Sequence, residues 1–208
     1  MLELAAVLAL AQACAPSVAP ETLAAIAHVE SRFDPLAIGV NRGGQRPRRA
    51  RDAAEASRVA RELLARGANI DLGLAQINSS NLSWLGLSVE DAFDPCRNLE
   101  AASTVLRAGY RVSGDTAADR QSALRIALSR YNTGDAGRGF RNGYVGRVEA
   151  ASVTLRLAAP PRPQPQPTLF AVGAQPAPVP FTVAPSPAWD IFGRPAAELV
   201  VFSTSVER

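Results

Sequence analysis

A series of short apolar stripes at helical spacing, each with its own start and stop signals, runs through residues 1–157. Asp52 and Asp94 stand where helix N-caps are expected, and Pro20 suits a first helical position. Amphipathic helices of this length bury their apolar faces by packing against one another. The pattern therefore predicts a mainly α-helical domain with at most a short β segment, at residues 69–73.

The bounds of the predicted helices follow from their apolar stripes, capping residues and breakers. Asp119 is expected to open the helix that carries Leu124, Leu128 and Tyr131. Residues 74–86 follow the short β segment. The helices are predicted at about residues 4–11, 20–32, 52–67, 95–110, 119–132 and 143–157.

The composition changes after Ala159, since eleven of the sixteen prolines lie from Pro160 onward. A proline-rich segment of this kind cannot bury enough apolar surface to offset the entropy lost on ordering it. Residues 158–208 are therefore predicted to form a disordered Pro-rich tail. Within it, residues 188–203 (AWDIFGRPAAELVVFS) are apolar enough to be a docking peptide, and an untethered tail is the alternative.

Charge and composition exclude several classes of partner. The net charge of +3 is too small to indicate a nucleic-acid-binding protein. The densest basic stretch, residues 41–51, is either a solvated loop or a contact with acidic polymer or lipid headgroups. No stretch reaches the roughly 20 apolar residues that span a bilayer, so no membrane span is expected. With His28 as the sole histidine and no CxxC pair, no metal site is expected.

The two cysteines, Cys14 and Cys96, leave two interpretations open. They either pair as a disulfide, which implies an oxidising compartment, or they are two small buried hydrophobic residues. The apolar N-terminal stretch is a poor signal peptide, because it lacks a basic region and carries Glu3. The export route therefore stays open.

Glu30 ends an otherwise apolar helical stripe, because Leu23, Ile26, Ala27 and Glu30 are spaced as one face of a helix. An apolar environment disfavours the charged carboxylate and raises its pKa, which suits a general acid. The alternative is a helix-end glutamate whose side chain reaches solvent. Tyr131 also ends an apolar stripe and can bring its hydroxyl toward Glu30, which favours the catalytic interpretation.

An ordered set of motifs follows the Glu30–Ser31 pair, namely FDPLAIGVN (33–41), DLGLAQIN (71–78), AFDPCRNL (92–99) and LSRYNTGD (128–135). The set resembles the goose-lysozyme-like lytic transglycosylases, and in particular the small members attached to type IV secretion and conjugation systems. The resemblance covers residues 13 to about 148. It implies a lysozyme-like (goose-type) helical domain over residues 1–157 and does not extend to the tail.

By this resemblance, Glu30 is the catalytic acid/base and Gln76 contacts the glycan. Tyr131 and Asn132 would hold Glu30 and the sugar in place. Ala75 stands where the motif more often has methionine, and this departure is expected to enlarge or soften one wall of the cleft.

Several other residues near these motifs are candidates for substrate contacts, each with a structural alternative. Ser31 either hydrogen-bonds near the site or is only a helix-end residue. Gly73 allows either a turn or the close approach of backbone to a sugar. Asn78 and Asn81 either bind substrate or are helix-start and surface groups. Trp84 is expected to lie in the core rather than to form a platform for a sugar.

The resemblance implies a peptidoglycan lytic transglycosylase that cleaves the β-1,4 bond between N-acetylmuramic acid and N-acetylglucosamine and leaves a 1,6-anhydromuramoyl product. Such an enzyme uses one carboxyl group, needs no cofactor and acts on glycan strands in the periplasm. It would open the cell wall locally for a type IV secretion or conjugation apparatus, whose components are candidate partners of the tail.

The residues also allow two other functions. Typical glycosidases use two carboxyl groups. Asp34 is better explained by a helix-ending turn, and Asp71 can equally terminate a short strand. A lysozyme-type peptidoglycan hydrolase and a non-catalytic peptidoglycan-binding assembly factor are therefore kept as alternatives.

Overall fold

The structure, a computed structural model, describes residues 1–41 and 44–155. The predicted tail over residues 158–208, with its docking segment 188–203, lies outside the described residues. Within the described part, the chain forms helices and one small sheet, in the order α1 (Leu4–Cys14), α2 (Pro20–Ser31), β1 (Ile38–Val40), α3 (Ala53–Ala65), β2 (Ile70–Leu72), β3 (Ile77–Asn78), α4 (Leu82–Leu85), α5 (Pro95–Gly109), α6 (Ala117–Thr133), α7 (Arg138–Arg141) and α8 (Tyr144–Thr154). The predicted class, mainly α-helical with a short β segment, is confirmed.

Helix α2 lies at the centre of the domain. Its residues from Leu23 to Ala27 are fully buried, and the helix packs against α1 and α8. Helix α5 packs against α1 and α6, which completes the helical core. The burial of so many alanines allows neighbouring helices to approach closely.

Several start signals in the sequence act as predicted. Pro20 is the first residue of α2, and the carboxylates of Asp52 and Asp94 accept hydrogen bonds from backbone N–H groups at the starts of α3 and α5. The prediction that Asp119 opens α6 was wrong. Thr116 is the N-cap, and Asp119 completes a capping box by accepting from the Thr116 backbone N–H.

Of the two interpretations of the cysteines, the disulfide is confirmed, since Cys14 and Cys96 are bonded with their Cα atoms 5.4 Å apart. The bridge joins the last residue of α1 to the first turn of α5. It closes a loop across an 82-residue separation, so it ties the N-terminal helix to the middle of the domain. None of the described helices is both long and apolar enough to cross a membrane.

The small sheet is antiparallel with strand order β1-β2-β3. Gly39 pairs with Asp71, and Asp71 pairs with Asn78, so these three positions share one face of the sheet. Residues 74–86 form a turn, strand β3, a 3₁₀ turn over Ser79–Asn81 and then α4. The sheet is thus larger than the predicted segment at residues 69–73, because β1 and β3 are too short to show a period-2 pattern.

Asn98, a residue of α5 with a fully buried side chain, fixes the turn between β2 and β3. Its amide nitrogen donates to the carbonyl oxygens of Leu72 (3.0 Å) and Ala92 (2.7 Å). Its amide oxygen accepts from the backbone N–H of Ala75 at 2.7 Å. One buried side chain therefore hydrogen-bonds three backbone groups around this turn.

Candidate active site

A cleft of about 730 Å³ runs between the sheet, α4, α5, α6 and α7. Its walls are mostly polar, which suits a ligand rich in hydroxyl and amide groups. Six of the sequence-predicted candidates for catalysis or binding line it, namely Glu30, Gln76, Asn78, Asn81, Tyr131 and Asn132.

Glu30 lies in the last turn of α2 with its carboxyl group at the cleft. Burial raises the pKa of Glu30 to about 7, against the opposing hydrogen bond from Tyr144, and the negative charge of Asp71 adds to the increase. The positive charge of Arg147 acts in the lowering direction. At neutral pH a substantial fraction of Glu30 is therefore protonated and can donate its proton.

The direct partner of Glu30 is Tyr144, whose hydroxyl donates to Oε1 at 2.6 Å. Burial and the charge of Glu30 raise the pKa of Tyr144 well above its usual value, so the phenol keeps its proton. The sequence interpretation missed Tyr144. A signal existed, because Tyr144 begins the buried stripe of α8 that continues through Val145 and Val148.

Tyr131 lines the cleft beside Glu30, but its hydroxyl donates to the backbone oxygen of Ala75 at 2.7 Å. It therefore joins the end of α6 to the turn before β3. The side chain of Ala75 is fully buried and lies outside the cleft lining, and an enlarged or softened cleft wall at this position stays a prediction.

Asn132 acts on Tyr144 through one intermediate residue. The Asn132 amide oxygen accepts from the Asn142 amide nitrogen at 2.8 Å. The Asn142 amide oxygen in turn accepts from the backbone N–H of Tyr144 at 2.9 Å. This chain of hydrogen bonds holds the start of α8, and with it the hydroxyl that faces Glu30.

Gln76 has a left-handed backbone conformation with φ 51°, which is uncommon for a residue with a side chain. Its amide nitrogen donates to the carbonyl oxygens of Ala37 (3.1 Å) and Gly73 (2.9 Å). The amide oxygen lies close to Gly39, where a Cβ atom would stand 2.7 Å away. Gly39 thus provides the space that Gln76 occupies at the cleft.

Ser31 and Gly73 lie behind the cleft and support its turn. The Ser31 hydroxyl donates to the Leu74 carbonyl oxygen at 2.6 Å, which ties the end of α2 to the turn. Gly73 has φ 74°, and a Cβ atom there would collide with the carbonyl oxygen of Ala92 and the amide of Asn98. A contact of either residue with a sugar stays a prediction.

Asp71 lies in the cleft as part of an amide cluster on the sheet. Asn78 donates to its Oδ1 at 2.7 Å, and Asn41 donates to its Oδ2 at 3.0 Å. Asn69 connects the two, since its amide oxygen accepts from both Asn41 and Asn78 at 2.8 Å. The cleft therefore contains a second carboxylate that is held in a fixed orientation. Asp34, by contrast, forms an ion pair with Arg49, whose Nε lies 2.6 Å from Oδ2 of Asp34.

Trp84 is 54% exposed and lines the cleft, so the expectation that it belongs to the core was wrong. Its indole N–H donates to the amide oxygen of Asn81 at 3.0 Å.

The described residues contain no group of three or more acidic, histidine or cysteine side chains placed to hold a metal ion.

Comparison with known proteins agrees with this arrangement. The sequence model of the family described as Transglycosylase SLT domain matches residues 8–153. Protein virB1 of Agrobacterium fabrum is 48% identical over 154 residues, which cover 74% of this chain and 62% of that protein. Type IV secretion system protein virB1 of Brucella suis biovar 1 is 44% identical over 159 residues, covering 73% of this chain and 66% of that protein. No solved structure matches the chain significantly.

The matched region contains every helix and strand from α2 to α7, and therefore all the residues that line the cleft. The chain spans less than two thirds of the length of the Agrobacterium relative. On the family match and these identities, the chain belongs to the transglycosylase SLT domain family.

Proposed function

We propose that the protein cleaves the glycan strands of peptidoglycan, with Glu30 as the single catalytic acid and base. The observation that carries the proposal is the buried Glu30 carboxyl group at the wall of a polar cleft, with the Tyr144 hydroxyl as its direct partner. A general acid works best when its pKa lies near the operating pH, and burial gives Glu30 a pKa of about 7. Membership of the transglycosylase SLT domain family supports the same reaction.

In the first step, Glu30 donates its proton to the glycosidic oxygen between N-acetylmuramic acid and N-acetylglucosamine. The C1–O bond breaks, and the N-acetyl group of the muramoyl residue stabilises the positive charge that develops at C1. In the second step, the Glu30 carboxylate takes the proton from the C6 hydroxyl of the same residue. The C6 oxygen then attacks C1, which gives the 1,6-anhydro product without consuming water.

Neighbouring groups support both protonation states of Glu30. The hydroxyl of Tyr144 stabilises the carboxylate that remains after the first proton transfer. The charge of Asp71, oriented by Asn41 and Asn78, favours return of the proton to Glu30 and is attractive to a cationic transition state. Substrate contacts by Gln76, Asn78, Tyr131 and Asn132 are part of the proposal, since all four line the cleft.

Asp71 also favours one competing reaction. A second carboxylate in the cleft can act on a water molecule, as in lysozyme-type hydrolysis. Both oxygens of Asp71 already accept an amide hydrogen bond, which favours an electrostatic role over the removal of a proton from water. A lytic transglycosylase is therefore the preferred function, and a peptidoglycan hydrolase is the alternative.

Analysis of the products in isotopically labelled water tests the proposal. Purified sacculi are digested in water enriched in ¹⁸O, and the released muropeptides are analysed by mass spectrometry. We expect products that are lighter by one water than hydrolysis products and that carry no ¹⁸O. Labelled reducing ends would instead identify a hydrolase, and undigested sacculi would contradict both enzyme functions.

Tyr144→Phe is expected to change the pH dependence of cleavage. The hydrogen bond from Tyr144 lowers the pKa of Glu30, so its loss raises that pKa further. Activity requires protonated Glu30, and its decline on the alkaline side should therefore move to higher pH. The maximal rate should fall about tenfold, because the carboxylate formed during the reaction loses its donor. Rates of glycan cleavage between pH 5 and pH 9, at about one-unit steps, measure both effects.

Tyr131→Phe is the matched control for this experiment, because the Tyr131 hydroxyl donates to Ala75 and not to Glu30. The decline of its activity at alkaline pH should occur at the same pH as in the wild-type protein. A decline that moved to lower pH in Tyr144→Phe, or that moved equally in both variants, would contradict the assigned role of Tyr144.

We further propose that the protein acts in the periplasm, where it opens the cell wall for a type IV secretion or conjugation apparatus. The name of the Brucella relative, type IV secretion system protein virB1, supports this setting. The Cys14–Cys96 disulfide is consistent with an oxidising compartment. In this proposal residues 1–157 are the catalytic domain, and residues 158–208 are a tail whose segment 188–203 binds a component of the apparatus.

A further inference from the structure

Trp84 is a large aromatic side chain that the fold leaves exposed at the wall of the cleft. Apolar side chains of this size are normally buried, so an exposed tryptophan inside a polar cleft needs a separate explanation. We propose that Trp84 and Asn81 form a binding site for one N-acetylglucosamine ring of the substrate. The inference rests on the proposed function only in that a glycan strand is taken as the ligand.

The exposure of Trp84 does not result from a loosely held helix. Leu82 is buried and Leu85 packs against the core, so two of the four residues of α4 anchor the helix to the domain. Gly86 ends α4 in a left-handed conformation with φ 64°. Since positions 82 and 85 face inward, position 84 is directed outward by the geometry of the helix.

The indole ring is also fixed in orientation. Its N–H donates to the amide oxygen of Asn81 at 3.0 Å, and Asn81 precedes α4 in the 3₁₀ turn. The start of that turn is held by Asn78, whose amide oxygen accepts from the backbone N–H of Ser80. A ring that is already immobilised loses little conformational entropy when a ligand stacks on it.

The surroundings of Trp84 match the chemistry of an N-acetylated sugar. No described residue accepts a hydrogen bond from the Asn81 amide nitrogen, which is therefore available to a hydroxyl or acetamide oxygen. Val105 and Ala108 of α5 line the same cleft and offer an apolar contact for an acetamide methyl group. One aromatic face, one free amide donor and two small apolar groups are what a pyranose with an acetamide substituent needs.

N-acetylglucosamine fits this site better than N-acetylmuramic acid. Stacking on an indole needs an unobstructed face of the sugar ring. Muramic acid carries a lactyl group on C3, to which the peptide stem is attached, whereas N-acetylglucosamine carries only a hydroxyl there. The site would therefore place a fixed sugar of the alternating strand in the cleft and so help to set the register of the strand relative to Glu30.

Tryptophan fluorescence tests the binding site directly, because the chain contains only two tryptophans. In a Trp189→Phe background, Trp84 is the sole source of indole emission. We expect a saturable change in emission when the N-acetylglucosamine tetramer is added. The glucose tetramer, which lacks the acetamide groups, should bind at least about tenfold more weakly. No change in emission with the N-acetylglucosamine tetramer, or equal binding of the two tetramers, would contradict the inference.

Kinetics on soluble glycan strands provide a second measurement. Trp84→Ala should raise KM about tenfold with little change in kcat, since stacking away from the reacting bond stabilises substrate and transition state alike. Trp84→Phe retains an aromatic face and should restore most of the affinity. An unchanged KM in Trp84→Ala, or a loss confined to kcat, would overturn the inference.

The two proposals fail in different ways. If the protein bound the N-acetylglucosamine tetramer through Trp84 but released no muropeptides, the binding site would stand and the proposed reaction would fall. If muropeptides were released normally while Trp84 neither responded to the tetramer nor affected KM, only the Trp84 site would be rejected.

Discussion

Glu30→Gln is expected to lower the rate of muropeptide release by about 10³-fold, because it removes the only proton donor proposed for the glycosidic oxygen. Glutamine keeps the shape of the side chain and can still accept the hydrogen bond from Tyr144. Binding of glycan strands should therefore survive while cleavage is lost. Release of muropeptides from sacculi and co-sedimentation with sacculi measure the two properties separately.

The same substitution should make the folded protein more stable at alkaline pH. The pKa of Glu30 is about 7 in the folded protein and 4.5 in the reference state, so the folded protein binds the proton more tightly. Stability therefore falls as the pH rises through this interval. Above pH 7, the buried charge costs up to about 3 kcal/mol, which glutamine avoids. A gain of about 5–10 °C in Tm is expected at pH 8, and almost none at pH 4.

Glu62→Gln is a suitable control, since Glu62 is half-exposed on α3 and pairs only with Arg58 in the described structure. It should retain cleavage and show no such gain in stability at pH 8. Undiminished cleavage in Glu30→Gln would show that Glu30 is not the catalytic acid, whereas a wild-type protein that bound sacculi without cleaving them would favour the non-catalytic assembly factor. A lower Tm of Glu30→Gln than of the wild-type protein at pH 8 would show that the ionised Glu30 carboxylate does not destabilise the folded protein.

Asn98→Ala is expected to lower the free energy of unfolding by about 4 kcal/mol. Alanine removes the hydrogen bonds that the Asn98 amide makes to the carbonyl oxygens of Leu72 and Ala92 and to the N–H of Ala75. Each buried backbone group that loses its partner costs roughly 1–3 kcal/mol, and water entry recovers only part of this. Unfolding in urea, followed by circular dichroism, measures the change.

Activity should fall with stability in Asn98→Ala, because the turn that Asn98 holds also carries Gln76 and accepts the hydroxyl of Tyr131 at Ala75. Thr104→Ala on the exposed side of α5 is the matched control, since its hydroxyl donates to the Glu100 carbonyl oxygen of the same helix. It should change the free energy of unfolding by less than about 0.5 kcal/mol. A similarly small effect of Asn98→Ala would mean that the turn is held by other contacts.

The helical part of the fold was accessible to sequence reasoning, because helices are formed by contacts three and four residues apart. Pro20, Asp52 and Asp94 each mark a helix start that the structure retains. The start of α6 was predicted at Asp119 instead of Thr116 because both residues have capping side chains. Only Thr116 lies outside the helix, and Asp119 is already within its first turn. Strands β1 and β3 were missed because two or three residues carry no usable periodicity.

The candidate site was only partly predictable for the same reason. Glu30 was recognised because it interrupts a local apolar stripe, and that stripe is buried as expected. Trp84 was misplaced because local pattern does not reveal which side of a four-residue helix faces the core. Leu82 and Leu85 decide that orientation, and their packing partners lie elsewhere in the chain.

What the amino-acid sequence determined by itself is therefore local: the helices, the capped ends and a carboxyl group on an apolar face. Tertiary structure alone decided which hydroxyl meets that carboxyl group, since Tyr144 and Glu30 are 114 positions apart. It also decided that Asn98 holds the turn before β3 and that Asp71 faces the cleft. Such pairs depend on how whole helices pack, and no periodicity within one segment contains that information.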